Sequence, residues 1–183
     1  MKTKDKIIEV GNKLLTEKGY NAFSYADIAK EIDIKTSSIH YHFPSKADLC
    51  MAIIELHRLR ILNLKNSQVL LSAEEKLRGL FGYYLFLIDK NQICITGTLA
   101  SDYHSLNENM SEKLKEFNKA ILTHTIDILQ SGIDRKEFQQ IKNCRLKAME
   151  LLSMLVGLAQ IGRLYPKDEI KQVLDQTIHN LKQ

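Results

Sequence analysis

Two histidines flank a tyrosine in the stretch IKTSSIHYHFPSK, residues 34–46, and such close imidazoles raise the question of a metal or catalytic site. On a helix, residues i and i+2 point about 200° apart, so His40 and His42 do not share a metal ion. No carboxylate or thiol stands at a completing spacing, and no nucleophile, base and orienting group occur together. We therefore expect no enzyme activity, no metal and no cofactor. We expect His42 to turn inward beside Phe43, and His40 to face outward.

The remaining histidines and the cysteines are isolated in the sequence. Three histidines stand singly on predicted helices and are expected to be partly exposed: His57, His124 and His179. The cysteines form no C-x-x-C pair and are expected to be single buried thiols: Cys50, Cys94 and Cys144. An odd number of widely spaced cysteines is typical of a reducing compartment, which predicts a cytoplasmic protein.

The elements that position the histidines are helices. Apolar residues recur at spacings of 3 and 4 along residues 4–18, and Gly19 follows as a helix-ending residue. Ser24 and Asp27 form a capping pattern for a short second helix, and a third is predicted over residues 36–42. Pro44 closes the third helix, since the residue before a proline avoids helical geometry. Ser45 is expected to cap a long fourth helix.

Helical patterns continue to the end of the chain. Ser72 and Glu75 predict the start of a helix that ends near Lys90, and its segment LFGYYLFLI is apolar enough to be enclosed on every side. Asn109 with Glu112 predicts another helix, ended by Gly132. Two more are expected over 143–165 and up to Leu181. No apolar run approaches the ~20 residues of a membrane span. The fold class is all-α.

The third helix has the two faces that DNA recognition requires. Ile34, Ile39 and Phe43 would pack inward. Small, polar or aromatic residues occupy the other face: Thr36, Ser37, Ser38, His40 and Tyr41. Small hydroxyl residues at a helix N-terminus allow close approach to phosphates, and Lys46 adds a cation nearby. Three helices in this arrangement predict a helix-turn-helix that binds double-stranded DNA.

The segment GYNAFSYADIAKEIDIKTSSIHYHFPSKADL, residues 19–49, resembles the TetR/AcrR family of transcriptional regulators. It has the family's order of Gly-aromatic, Ser cap, Ile-Ala, and aromatic-x-His-Phe-x-Ser-Lys. The resemblance implies a helix-turn-helix DNA-binding domain over 1–46 and a helical effector-binding and dimerisation domain over 47–183.

The resemblance also implies residue roles. Thr36, Ser37 and Tyr41 would face bases. Phosphates would be held by four other side chains: Tyr25, Ser38, His40 and Lys46. The sequence departs from the family pattern at three positions, with Asp33 for a turn Gly, Lys35 for a capping Ser, and His40 for Tyr. Either Thr36 caps the third helix instead, or Lys35 reaches a phosphate.

The last two helices are the predicted homodimer interface. Their apolar stripes are suited to a four-helix bundle of two subunits, as the resemblance also implies. The residues assigned to this interface are Leu151, Leu155, Ile161, Ile170, Val173, Leu174 and Ile178. The open alternative is that both stripes are intramolecular core.

Besides forming a dimer, the large helical domain could bind a small-molecule effector. Pockets of this kind are mainly apolar, with a few polar groups for orientation. The residues assigned to the pocket are Tyr84, Cys94, Thr98, Tyr103, His104, Phe117, Met154 and Leu158. An effector that prefers one spacing of the DNA-binding domains would release a palindromic operator. Repression is what the resemblance implies.

Two alternatives remain open at this point. Cys94 could sense oxidants or electrophiles in place of a bound effector. A helical interaction module without DNA binding would also be compatible with the composition, and it would show no salt-dependent duplex affinity.

Overall fold

The computed structural model describes residues 2–182. Over that range the chain contains helices, turns and loops but no β-strand, so the predicted all-α class is confirmed. The α-helices are α1 (Thr3–Lys18), α2 (Tyr25–Ile32), α3 (Thr36–His42), α4 (Lys46–Ser67), α5 (Ala73–Asp89), α6 (Ile95–Ser101), α7 (Glu108–Asp134), α8 (Cys144–Ile161) and α9 (Lys167–Lys182). Short 3-10 turns lie at Tyr20–Ala22, Tyr103–Ser105 and Gly162–Leu164.

The chain divides into two compact units. The first contains the chain up to Arg60 together with Ile95–Phe117. The second contains Ile61–Cys94 and the chain from Asn118 onward. Helices α4 and α7 therefore each contribute residues to both units. The predicted boundary after residue 46 divides the chain by expected function, whereas these units are defined by compactness. The predicted boundary therefore stays a prediction.

In the first unit, α1 packs against α2, α3 and α6. Ile7, Ile28 and Ile39 are fully buried there. Gly11 permits a close approach of α1 to α4, because a Cβ at this position would lie 3.1 Å from Cδ2 of Leu49. The short helices α2 and α3 are therefore held against a solid apolar core, which keeps their outer surfaces fixed.

In the second unit, α5 packs against α8 and α9. Leu77, Leu80 and Leu87 point into this core and are buried. The expectation that α5 is enclosed on every side is wrong, because Phe86 is 53% exposed and Gly82 lies on the same outer face. Local composition could not show this, since an apolar residue at the surface has the same sequence signature as one in the core.

Helix α7 differs from its predicted bounds at both ends. Its start is fixed by Asn107, whose side-chain oxygen accepts a hydrogen bond from the N–H of Met110 at 2.9 Å, and not by Asn109. Its end lies beyond Gly132, which stays helical. A Cβ on Gly132 would lie 2.1 Å from the Phe138 ring, so this glycine provides space for a buried aromatic side chain.

None of the helices in the described part of the chain is both long and apolar enough to cross a bilayer.

Candidate nucleic-acid interface

Helix α2 and the turn after it are fixed by local hydrogen bonds. Ser24 Oγ accepts from the N–H of Asp27, and the Asp27 carboxylate accepts from the N–H of Ser24 at 2.7 Å, which is the predicted capping box. The hydrogen bonds that the Ser24 hydroxyl and the Ser24 N–H donate to the Asp27 carboxylate hold the pKa of Asp27 below its usual value. Asp33 ends the helix in the left-handed region (φ 53°, ψ 54°), so the turn does accept an Asp where a Gly is common.

Helix α3 presents the predicted outward face. Ile39 and Phe43 are buried against the first unit's core. Thr36 and Ser37 are exposed, and Tyr41 is 84% exposed, the largest aromatic surface in the unit's described part. A tyrosine so exposed makes little contribution to the core. The helix therefore offers hydroxyl groups and one aromatic ring to a partner.

The start of α3 differs from the expectation for Thr36. The cap residue is Lys35, whose side chain makes no capping hydrogen bond, and Thr36 is the first helical residue. Thr36 does not cap the helix, because its backbone is already helical. The Lys35 side chain is exposed. The phosphate contact of Lys35 stays a prediction. Ser38, in the first turn of α3, is half-buried.

The two histidines of the opening stretch have separate surroundings. His40 is exposed, and its Nδ1 lies 3.2 Å from the Pro44 carbonyl oxygen. An Nδ1–H that donates there leaves Nε2 as an acceptor in the neutral ring, so only the imidazolium donates to a phosphate. His42 is half-buried, with its ring edge-on to Tyr41 at 5.1 Å.

Tyr25 lies beneath α3 rather than on the surface. It is 8% exposed, and its hydroxyl lies 2.9 Å from the Phe43 carbonyl oxygen and 2.5 Å from that of Ser45. Its ring is edge-on to His40 at 4.8 Å. Burial raises the pKa of Tyr25 to about 12. Tyr25 therefore acts here as a positioning residue for the end of α3, and a phosphate contact through it stays a prediction.

Lys46 is also drawn inward. Its ammonium donates to the Phe23 carbonyl oxygen and lies 4.2 Å from the centroid of the Phe23 ring and 4.9 Å from that of Tyr20. Burial lowers its pKa. The predicted phosphate contact would require the ammonium to leave this site. Beside it, Ser45 caps α4 as predicted, because its hydroxyl oxygen accepts from the N–H of Asp48 at 3.2 Å, and the Asp48 carboxylate accepts from the N–H of Ser45 at 2.9 Å.

The sequence region that contains this geometry matches the family model described as "Bacterial regulatory proteins, tetR family" over residues 7–53. The whole chain is similar to a solved TetR transcriptional regulator from Legionella pneumophila, with 33% identity and a TM-score of 0.87 over 98% of this chain and 96% of that one. The chain belongs to the TetR family of transcriptional regulators.

Other TetR-family proteins are similar over most of the chain. The IcaR protein of Staphylococcus epidermidis, named a negative transcriptional regulator of a biofilm operon, is 29% identical over 74% of this chain and 75% of its own length. The corresponding Staphylococcus aureus (strain Newman) protein is 24% identical over 94% and 97%. A TetR-family structure from Agrobacterium tumefaciens has the same fold, with a TM-score of 0.87 at 24% identity and coverage of 97% and 96%.

The residues predicted for an effector pocket are distributed over both TetR units. In the first unit, Thr98 and Phe117 are buried, whereas Tyr103 and His104 are exposed on a 3-10 turn. In the second, Tyr84 and Cys94 are each 3% exposed, and Met154 and Leu158 are half-buried. Burial raises the pKa of Tyr84, and the neighbouring Cys94 acts in the same direction. Cys144 is half-buried rather than buried.

The residues predicted for the dimer interface differ in exposure, and their place in a homodimer stays a prediction. Five of them are at most 4% exposed within the chain itself: Leu151, Leu155, Ile170, Leu174 and Ile178. They face the core because α8 and α9 pack on α5. Ile161 and Val173 are 45% and 42% exposed, and Leu146 and Met149 join them as exposed apolar residues of these helices.

Two of the single histidines also differ from expectation, while His179 is exposed as expected. His57 and His124 are only 4% and 5% exposed. His57 Nε2 donates to Asn12 Oδ1 at 2.7 Å, and its ring lies edge-on to Phe117 at 6.2 Å. Burial lowers the pKa of His57 to about 3. His57 therefore joins α1, α4 and α7 within the first unit.

Sequence reasoning missed Lys4 and Asp102. Lys4 is exposed, and its ammonium lies 5.6 Å from the centroid of the Phe43 ring at the end of α3. Asp102 accepts hydrogen bonds from the N–H of Tyr20 and from the side chain of Asn21. The basic N-terminus was a signal for Lys4, whereas no local pattern connects Asp102 with residues 20–21.

Proposed function

We propose that this TetR-family protein is a repressor that binds a palindromic operator as a homodimer and is released by a small-molecule effector. The observation that supports DNA binding best is the outer face of α3. It combines exposed hydroxyls at Thr36 and Ser37 with the 84% exposed ring of Tyr41, on a helix whose inner face is buried. Such a helix fits the major groove.

Within this proposal, the side chains at α3 fall into two groups, those that contact bases and those that contact phosphates. Thr36, Ser37 and Tyr41 contact base edges, where hydroxyls bond to either kind of edge atom and the ring contacts thymine methyl groups. Ser38, His40 and Lys35 contact phosphates, which fix the position of the helix without reading sequence. Tyr25 orients the end of α3 from beneath through the Phe43 and Ser45 carbonyls.

The homodimer uses the outward faces of α8 and α9. Their exposed apolar side chains are Leu146, Met149, Ile161 and Val173. Gly157 lies between them along α8, and a Cβ there would meet nothing within 4 Å, so a partner helix can approach closely. Two copies joined in this way would place their α3 helices on half-sites about 34–36 Å apart.

Repression and effector release extend the family assignment. The relatives from Staphylococcus epidermidis and Staphylococcus aureus are named negative transcriptional regulators, which supports repression here. Release requires an effector that prefers one of two conformations of the dimer. The effector site proposed from the sequence includes buried polar groups such as Tyr84 and Thr98. Sensing through Cys94 is the weaker candidate, because its thiol is 3% exposed.

The proposal is tested by selecting duplexes from a random pool with the full-length protein. We expect an enriched inverted repeat, and binding to it that weakens steeply with salt. Tyr41→Ala or Ser37→Ala should change which bases are preferred, with a loss of roughly tenfold for the original sequence. Leu70→Ala, at a 96% exposed position in the second unit, is the matched control and should bind as the unaltered protein does. Selection of no sequence by a folded dimer would overturn the proposal.

A further inference from the structure

A cleft in the second unit lies outside every site described so far. It has a volume of about 240 Å³ and is formed by the end of α4, the turn that follows, and parts of α5 and α7. Its lining residues are Lys65, Asn66, Val69, Lys76, His124, Asp127 and Ile128. Val69 and Ile128 provide apolar wall, while two ammonium groups and one carboxylate surround it. The cleft is large enough for a small organic molecule.

His124 is the unusual member of this lining. It is only 5% exposed, and within the described residues neither ring nitrogen has a hydrogen-bond partner. An imidazole carries a donor and an acceptor, and leaving both unpaired in the interior is costly. Buried polar groups are nearly always paired, so an unpaired imidazole beside a cleft needs a partner from outside the chain.

The charged residues around His124 indicate whether that partner is a cation or an anion. Lys65 is paired with Asp127 at 2.8 Å, so these two charges largely neutralise one another. Lys76 is half-buried and forms no ion pair with any described residue. The cleft therefore contains one uncompensated positive charge next to an unpaired hydrogen-bond donor. An anion supplies what both groups lack.

We propose that this cleft binds a small organic carboxylate, with its carboxylate between Lys76 and His124 and its apolar body against Val69 and Ile128. The carboxylate accepts charge-assisted hydrogen bonds from both side chains, and the apolar body removes the Val69 side chain, now 63% exposed, from water. The Lys65 side chain also lines the cleft and is half-exposed.

Binding is coupled to protonation of His124. Burial lowers its pKa in the free protein, and the charge of Lys65 acts in the same direction, as does that of Lys76, while Asp127 opposes them. A bound carboxylate adds a negative charge and raises this pKa, since it favours the imidazolium. Affinity should therefore increase as the pH falls from about 7.5 towards 6, with proton uptake on binding.

The probe is benzoate, whose ring and carboxylate match the two parts of the cleft, with benzyl alcohol as the uncharged counterpart. Titration calorimetry of the full-length protein in the cationic buffers Bis-Tris and imidazole gives the affinity and the number of protons taken up. We expect saturable benzoate binding with proton uptake, and binding of benzyl alcohol at least about tenfold weaker. Inorganic phosphate, which lacks an apolar body, should compete poorly.

Two substitutions locate the site. Lys76→Gln should weaken benzoate binding at least about tenfold, whereas Lys119→Gln, an exposed lysine of α7 outside the cleft, should change it less than twofold. His124→Phe should weaken binding and abolish the proton uptake. If His124→Phe does not fold, the Cε1 proton of His124 in the unaltered protein reports the same event by NMR, through a benzoate-dependent shift.

The proposal is overturned if benzoate does not saturate a site, if Lys76→Gln binds it as well as the unaltered protein, or if phosphate competes equally. The binding site stands independently of the proposed repressor. Only an effect of benzoate on operator affinity rests on that proposed function, and it is measured separately on the selected duplex. If the protein selects no duplex but still binds benzoate, the proposed repressor function is rejected and the proposed carboxylate site is kept.

Discussion

The carboxylate of Asp102 accepts a hydrogen bond from the backbone N–H of Tyr20 at 2.9 Å, 82 positions earlier in the chain. Its other oxygen accepts from the Asn21 side chain at 3.1 Å, and Gly19 beside them has φ 92°. The turn that connects α1 to α2 is therefore held by the residue that follows α6. Two segments distant in sequence share one carboxylate within the first unit.

We expect Asp102→Ala to loosen this turn, because the N–H of Tyr20 and the side-chain amide of Asn21 both lose the carboxylate that accepts their hydrogen bonds. The amide of Tyr20 should exchange with deuterium roughly tenfold faster, as measured by NMR. Asp102→Asn, which keeps one acceptor oxygen, is the matched control and should exchange at an intermediate rate. Unchanged exchange of Tyr20 in Asp102→Ala would show that the contact does not stabilise the turn.

Lys4 provides a test of the extent of the DNA-binding surface. Because its ammonium lies beside Phe43 at the end of α3, we expect Lys4→Gln to weaken binding to all duplexes alike. Loss of one phosphate contact should reduce the slope of log affinity against log salt by about 0.9. Fluorescence anisotropy at several salt concentrations measures both quantities, with Lys119→Gln as a charge-matched control. An unaltered slope would place Lys4 outside the interface.

Asp33 permits a prediction about stability alone. Its φ of 53° costs Asp less than most residues with a Cβ but more than Gly, so Asp33→Gly should increase the free energy of unfolding by about 0.5 kcal/mol. Asp33→Val should decrease it by more than ~1 kcal/mol. Lys30→Gly, at an exposed position inside α2, should instead cost about 1 kcal/mol. Urea denaturation measures the free energy of unfolding of the three variants. A lower value for Asp33→Gly than for the unaltered protein would contradict the argument from φ.

His57 predicts how stability depends on pH. Its pKa of about 3 in the folded protein lies below the usual value of 6.5, so the unfolded chain binds the proton more readily. This contribution is complete above pH ~6.5 and is lost as the pH falls towards 3. As the pH falls from 7 to 5, protonation of His57 in the unfolded chain should lower the free energy of unfolding by about 2 kcal/mol.

The comparison that isolates His57 is His57→Gln, measured by urea denaturation at both pH values. The variant should be less stable at pH 7, because the aromatic packing on Phe117 is lost, yet its stability should vary less with pH. His179→Gln, at an exposed position, is the control for the loss of one histidine. An equal pH dependence in His57→Gln would contradict the assignment.

The outward face of α9 tests the homodimer. Val173 is 42% exposed, and a charge placed there should oppose association, so Val173→Lys should be monomeric at concentrations where the unaltered protein is dimeric. Sedimentation velocity measures the state directly. Gln172→Lys adds the same charge to the same helix on a different face and should remain dimeric. A dimeric Val173→Lys would exclude this face as the interface.

The sequence predicted those features that depend on neighbouring residues. The capping boxes at Ser24 and Ser72 and the cap at Ser45 are present, and α3 has its predicted bounds, because each depends on residues close together in the sequence. Asn107 and Asn109 show the limit of this reasoning. Asn107 directly precedes α7 and Asn109 is its second residue, but asparagine is a good cap at either position, so the sequence could not decide between them.

Features that depend on distant contacts were not predictable. The apolar stripes of α8 and α9 indicated burial but not whether the covering surface belongs to the same chain, and within the chain both helices pack against α5. The burial of His57 depends on Asn12, 45 positions away. Lys46 was expected at the surface, and only the placement of Phe23 and Tyr20 explains why its ammonium lies between two rings.

The left-handed backbone of Asp33 also has a consequence at the level of the gene. Only Gly, Asn and Asp enter this conformation readily. The codons of Asp, GAT and GAC, become Gly or Asn codons by a single transition, so spontaneous mutation can exchange all three residues here while the turn is kept. Drift at this position should therefore leave DNA binding intact, whereas the transversions that introduce Val or Ala should be removed by selection.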